Sequence, residues 1–166
     1  MSFKSMFITV LFLFIAGQIS NTYSQKKNSK LNHLTEVADI IVTGKVVKQK
    51  SVWNHNKTKI ITHTTIQVEE YLKGHNSENL LVVNHLGGEV DGVGELYTHM
   101  PKFKNDEEVL LFLKSNQSNK DFKIINGDEG KITILKNSKT SEKITASNIP
   151  FNSLKMHIKA MQNRSK

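Results

Sequence analysis

The sequence contains no cysteine. That absence excludes disulfides, thiolate metal sites, cysteine nucleophiles and lipid attachment at a cleavage-site cysteine, so the fold must be held by its core alone. Proline occurs twice and tryptophan once, and Phe, Tyr and Trp make up only 7% of the chain. Basic and aromatic residues are not interleaved, which argues against the stacking platforms of single-strand nucleic-acid binders. No HExxH, no GxSxG elbow and no P-loop Lys-Ser/Thr follows from the sequence. Glu69 and Glu70 are neighbours on an expected strand, as are Glu107 and Glu108, so each pair is expected on opposite faces and unable to act as an acid/base pair. The only long apolar run is Phe7 to Gly17, short of the roughly 20 residues a membrane-spanning helix needs.

That run is preceded by the lone charge Lys4 and followed by small and polar residues. The order is that of a secretory signal peptide, with cleavage expected after Ser24. The expected destination is therefore the periplasm or the medium, with no transmembrane anchor after cleavage. A disulfide-free exported domain fits a bacterial protein better than a stapled animal module. Formal net charge is +8, and removal of Lys4 with the signal leaves +7, a balance that favours anionic surfaces, glycans or nucleic acid. The lysines are spread along the chain, and the densest group (Lys26, Lys27, Lys30) falls in a polar leader.

Four segments follow: a signal peptide over 1–24, a flexible leader over 25–30, a β-domain over 31–136, and a linker with a C-terminal helix over 137–166. Leu31, Leu34 and Val37/Ala38 recur at helical spacing and predict a short helix before the first strand. Ile40, Val42, Gly44 and Val46 alternate against Ile41, Thr43, Lys45 and Val47, apolar on both sides at the start, so the strand is expected to be buried on both faces there. Gly44 is a candidate bulge or bend. Trp53, in a polar connection over 48–59, is expected to cap one end of the core. A second strand over 60–73 ends at Gly74, free to take positive φ, and His63 is expected to face outward from it.

Leu80 to Leu86 predicts a third strand, Glu95 to Met100 a short one, and Asp106 to Lys114 a central one. Phe122, Ile124, Ile132 and Ile134 predict a hairpin about Asn126 to Gly130. Asn148 is a candidate N-cap with Pro150 in the first turn, and Phe151, Leu154, Ile158 and Met161 form one helical stripe. The expected fold is mainly β: a small barrel of the OB type with a C-terminal helix.

The order ADIIVTGKVV from Ala38, Trp53, IQVEEYLKG from Ile66, HLGGEVDGVG from His85, EEVLLFL from Glu107 and GDEGK from Gly127 resembles a family of uncharacterised secreted bacterial domains. The resemblance covers about residues 34–134 and implies a single exported domain, with no activity attached. The opening strand and the LKG strand end are more distantly similar to netrin-like modules, including tissue inhibitors of metalloproteinases. That likeness implies an OB-like barrel. It does not extend to inhibition, because those inhibitors reach the protease zinc through an N-terminal cysteine.

The candidate ligand-binding residues lie around the glycine-rich segment: His85, Gly87, Gly88, Glu89, Asp91 and His99. His85, Glu89 and His99 have the donor types of a two-His-one-carboxylate metal site, though not its helix-fixed spacing; Glu89 and Asp91 have those of a calcium site. The sequence favours reading the glycines as supplying positive φ in an irregular loop, and the histidines as surface or strand-edge residues. The reading the sequence favours is an exported, non-catalytic binding domain with no cofactor and a protein or glycan partner. The alternatives are a metal-dependent hydrolase on the same residues and a protease-inhibitor-like module.

Overall fold

In the computed structural model, residues 29–116 and 121–164 are described. The expected signal peptide, residues 25–28 of the leader and most of the polar turn over 116–120 lie outside them. The chain divides into two compact units, Met1–His33 and Leu34–Lys166; the β-structure and the C-terminal helix belong to the second.

A helix, α1, covers residues 29–37, so the last two residues of the expected leader are helical. The strands are β1 (Ile40–Trp53), β2 (Ile60–Lys73), β3 (Leu80–Leu86), β4 (Gly88–Val90), β5 (Val93–Glu95), β6 (Glu108–Ser115), β7 (Phe122–Ile124), β8 (Lys131–Lys136) and β9 (Lys143–Thr145), and helix α2 is Phe151–Arg164. The main sheet runs β1-β2-β3-β7-β6-β8-β9, and β1 also pairs with β6. The first five strands of that order therefore close on themselves as a small barrel. All pairings in the ring are antiparallel except β3–β7. β4 and β5 form a separate two-stranded ribbon.

Alternation decides what fills the barrel. Ile40, Val42 and Val46 of β1, Ile66 of β2, Leu81 and Val83 of β3, and Val109, Leu111 and Leu113 of β6 form one buried cluster with Phe103 and Phe122. The intervening Ile41, Leu110 and Phe112 lie on the outer face and are buried too. Leu34, Ala38 and Leu72 are buried as well, as are Phe151, Leu154 and Ile158 of α2, which packs on β2 and β9. The two-sided burial expected at the start of β1 is present, and from Val47 onward β1 is exposed or half-buried.

Bending is produced at three register shifts along β1–β2. At one of them a Cβ on Gly44 would sit 2.3 Å from the Gln67 carbonyl oxygen, so only glycine lets β2 cross this closely. Val47, Glu69 and Leu72 are the residues left without an opposite partner.

Several expected boundaries moved. β1 continues through Trp53, which lies opposite Ile60, half-buried at one end of the barrel, leaving a connection of only 54–59. The strand expected over 95–100 ends at Glu95. Phe122–Ile124 and Lys131–Lys136 do not pair as a hairpin; each pairs with β6. Left-handed Asn126 and Gly127 lead instead into a 3-10 turn, Gly127–Gly130, whose Asp128 N–H donates to the His99 carbonyl (2.9 Å). The polar segment after Lys136 contains β9. Asn148 is not the N-cap of α2: it occupies a left-handed turn, its N–H bonded to Thr145 O, and the Pro150 carbonyl accepts from Leu154 N (3.2 Å). Pro150 is thus the cap.

Lysines tie the elements together. Lys73 Nζ donates to the Thr35 and Glu36 carbonyls and Lys114 Nζ to that of Val37, a favourable place for cations at a helix C-terminus. Lys131 Nζ and Glu107 Oε1 form a 2.7 Å ion pair, each side chain only 11% exposed.

Candidate functional site

The glycine-rich segment is a hairpin. Asp91 (φ 52) and Gly92 (φ 78) are the two central residues between β4 and β5, the left-handed pair that a type I′ turn requires. The irregular loop expected from the sequence is therefore a regular ribbon, and Asp-Gly was its signal. Glu89 and Asp91 are exposed on it.

Gly87 and Gly88 seat this ribbon on one end of the barrel. Thr62 Oγ1 donates to the Gly87 carbonyl (2.6 Å), and Ser51 and Thr62 share a 2.8 Å hydroxyl contact. A Cβ on Gly88 would fall 2.3 Å from Ser51 Oγ and 2.4 Å from Thr62 Oγ1. Glu95 Oε2 accepts from the Ile60 N–H (2.9 Å) and from the Tyr97 hydroxyl (3.0 Å). Packing thus accounts for both glycines. Gly88→Ala is expected to cost about 1–3 kcal/mol, as a side chain forced into filled space does. Gly92→Asn, where an added Cβ meets nothing within 4 Å, is expected to be close to neutral, since Asn tolerates the left-handed region. Paired urea denaturations check the contrast.

His85 is half-buried, its ring tilted on Phe103 at 5.5 Å between centroids. Nδ1 faces the Leu86 carbonyl at 3.3 Å and so carries the proton; Nε2 then accepts from Thr64 Oγ1 at 3.2 Å. Burial pushes the imidazole below its ordinary pKa against the opposing pull of the Leu86 carbonyl, keeping it neutral. His99 is exposed and left-handed (φ 64), its carbonyl covered by Gly127. Of the six candidates, His85, Gly87 and Gly88 line one groove of about 420 Å³, and Glu89, Asp91 and His99 stand outside it. Among the described residues no three His, Asp or Glu side chains come together as a metal-binding group.

A second correction concerns the adjacent carboxylates. Glu69 is a bulged residue, so it does not alternate with Glu70 as a regular strand would require. Both line one groove outside the barrel with Lys143 and Lys155. Glu70 pairs with Lys155 and Lys159 at 2.9 Å each, and Lys143 lies 3.6 Å from Glu69 and 2.5 Å from Glu108. The Lys159 and Lys155 hydrogen bonds hold Glu70 below the ordinary carboxylate range. This cluster is neutralised internally and fastens α2 and β9 to the barrel.

The arrangement with free chemistry lies on the outer face of β1, β2, β3 and β7. Ile60, Thr62, Thr64 and Ile66 are buried, so His63 between them faces out, as the sequence led us to expect. Register places Lys50 opposite His63, His63 opposite Asn84, and Asn84 opposite Lys123. Directly opposed residues share a face, so these four make one polar row across four strands. An apolar row, Val52–Ile61–Leu86, flanks it on one side, and Lys48–Thr65–Val82 on the other.

Hydrogen bonds order the row. Asn84 Nδ2 donates to Asp121 Oδ2, and Asn116 Nδ2 donates to Asp121 Oδ1 at 3.0 Å. With its amide nitrogen committed to the carboxylate, Asn84 presents Oδ1 to His63 Nδ1 at 2.6 Å. Nδ1 must therefore carry the proton, leaving Nε2 as an oriented acceptor. A cleft of about 550 Å³ opens here, its walls including Ile61, His63, Asn84, Leu86, Lys123 and Ile124. The sequence places His63 facing outward but not in a site, and singles out neither Asn84 nor Asp121 nor the lysines, since only strand register brings them together; of the six candidates, His85 also lines this cleft. The chain matches no family model and no curated protein.

Proposed function

We propose that the chain is an exported, non-catalytic binding domain on an OB-type barrel, with its ligand seat on the outer face around His63, Asn84 and Asp121. The OB assignment is supported by the strand order β1-β2-β3-β7-β6 returning to β1, with β3 and β7 parallel, and such barrels bind ligands on the face of their second and third strands. Export is supported by the apolar run Phe7 to Gly17 behind Lys4. A mature N-terminus at Gln25, read by mass spectrometry, is the expected result.

One observation carries the choice of seat: the His63–Asn84–Asp121–Asn116 line is polar and ordered, and it borders an open cleft with apolar walls. Convergent polar groups on an apolar cleft are the common form of a binding site. The glycine hairpin, by contrast, is accounted for by packing. The partner is a protein or a glycan. The test is a pull-down with the secreted form from the organism's own secreted fraction, beside Asn84→Ala and Glu89→Ala/Asp91→Ala variants. A partner retained by wild type and by the hairpin variant, and lost with Asn84→Ala, is expected. Loss with the hairpin variant alone returns the seat to the glycine segment.

A further inference from the structure

We infer that the seat takes an acidic polysaccharide, a linear polymer bearing uronate carboxylates or sulfates. The inference rests on the seat proposed above and concerns what fills it. Charge on this barrel is segregated. At the α2 end, Glu69, Glu70 and Glu108 are neutralised by Lys143, Lys155 and Lys159, and Lys45 is held by Asp106 at 2.6 Å. On the outer rows, Lys48, Lys50 and Lys123 are exposed, with no ion pair among the described residues. Exposed Lys57 and Lys59 extend the same sign into the β1–β2 connection. Asp121, the carboxylate beside this row, already accepts from two amides.

The row from Lys50 to Lys123 crosses three strand spacings, roughly 14 Å at about 4.8 Å each, with Lys48 about 6.7 Å along β1. That is an extended surface, suited to a chain more than to a single small anion. Between the cations, His63 Nε2 offers an acceptor to ligand hydroxyls, so the row pairs charge recognition with hydroxyl recognition. None of the opposed residues in the three rows is Phe, Tyr or Trp. With His63 as the one ring of these rows, the face lacks the succession of aromatic platforms on which single-strand nucleic-acid binding relies. The same lack disfavours a neutral sugar held by ring stacking.

Calorimetry with the purified secreted form tests this, using polygalacturonate and heparin as the uronate and sulfate probes, dextran as the neutral polymer and oligo-dT as the nucleic acid. Binding of an acidic polymer and not of dextran is expected, weakening steeply with salt. Lys50→Ala/Lys123→Ala is expected to weaken it roughly ten- to thirty-fold, the scale of two lysines removed from an anionic surface. Lys136→Ala/Lys139→Ala, away from the row, is expected to leave it unchanged. Preference for oligo-dT or dextran overturns the inference, as does equal loss in both double variants. If no polymer binds while the pull-down still retains a protein through Asn84, the seat stands and the polysaccharide falls.

Discussion

Phe112→Ala is expected to remove about 3–5 kcal/mol, the usual cost of truncating a buried phenylalanine. Phe112 is fully buried although it points away from the barrel interior. It lies directly opposite Ile41 in the β1–β6 pairing that closes the ring. Its ring is 0% exposed on the outer face of β6. Truncation therefore opens a cavity beside the β1–β6 pairing, where closure of the ring limits how far the strands can collapse into it. For a domain of this size the loss corresponds to a melting temperature lower by roughly 10–20 °C. Met156→Ala is the control. It is also a large apolar side chain, on α2, but 66% exposed, and is expected to stay within about 0.5 kcal/mol of wild type. Equal effects in the two variants, measured by thermal denaturation, would show that burial of the Phe112 ring adds nothing to stability.

The elements legible in the sequence are those whose cause is local. Leu80 to Leu86 is an unbroken apolar run between polar stops, and β3 has those bounds. The stripe Phe151, Leu154, Ile158 is buried as its spacing requires, with Met161 half-buried. Gly44 was legible as a bend because glycine inside a β-branched strand has little other use. What escaped depends on partners far away in the chain. Lys143–Thr145 is too short and polar to read as a strand, and becomes one only because β8 offers an edge. Asn126-Gly127 has the residues of a hairpin turn, but β6 presents an edge to both β7 and β8, so the two strands pair with it and not with each other. Glu69 and Glu70 were assigned to opposite faces by strict alternation, and a bulge, itself a two-strand property, removed the alternation.

The candidate site divides along the same line. The glycine segment was conspicuous because close packing and tight turns require unusual residues, and conspicuous residues are not the same as functional ones. Gly88 is explained by Ser51 and Thr62 pressing on it. The polar row is built from ordinary residues on four strands, none remarkable in its own sequence context. His63 alone carries no message. Opposite Asn84, with Asp121 behind, it becomes an oriented acceptor on a cationic face.

Glu107→Ala and Lys131→Ala are each expected to cost about 3–5 kcal/mol, because removing one partner strands a charge that burial has taken from water. The geometry leaves little room for rescue. Glu107 Oε1 accepts from Lys131 Nζ (2.7 Å) and Thr133 Oγ1 (2.6 Å), and Oε2 from the Lys104 N–H (3.0 Å). Lys131 Nζ also donates to the Lys102 carbonyl (2.5 Å) and lies 4.9 Å from the centre of the Phe103 ring. The pair thus anchors the segment leading from the hairpin into β6. Replacing both members, as in Glu107→Leu/Lys131→Met, is expected to cost less than either single change, since no buried charge is then left unpaired.

Acid should expose the same pair. Burial alone raises the Glu107 pKa, but hydrogen bonds from Lys131, Thr133 and the Lys104 amide outweigh it, and the folded value lies below the ordinary 4.5. A carboxylate depressed on folding contributes stability that is complete above its unfolded pKa and is lost as pH falls through the folded one. Wild type is therefore expected to weaken below about pH 4.5, as the unfolded carboxylate protonates. Asp39, held down by Lys114 and the Ser115 amide, and Glu70, held down by Lys159 and Lys155, contribute in the same window. Glu107→Gln keeps those two and removes only its own titration, so its stability should fall less steeply with acid than that of wild type. Urea midpoints for both proteins across that range measure the difference in slope. Parallel curves would mean that Glu107 titrates alike in the folded and unfolded chain, and that the ion pair adds nothing to the hold on β6.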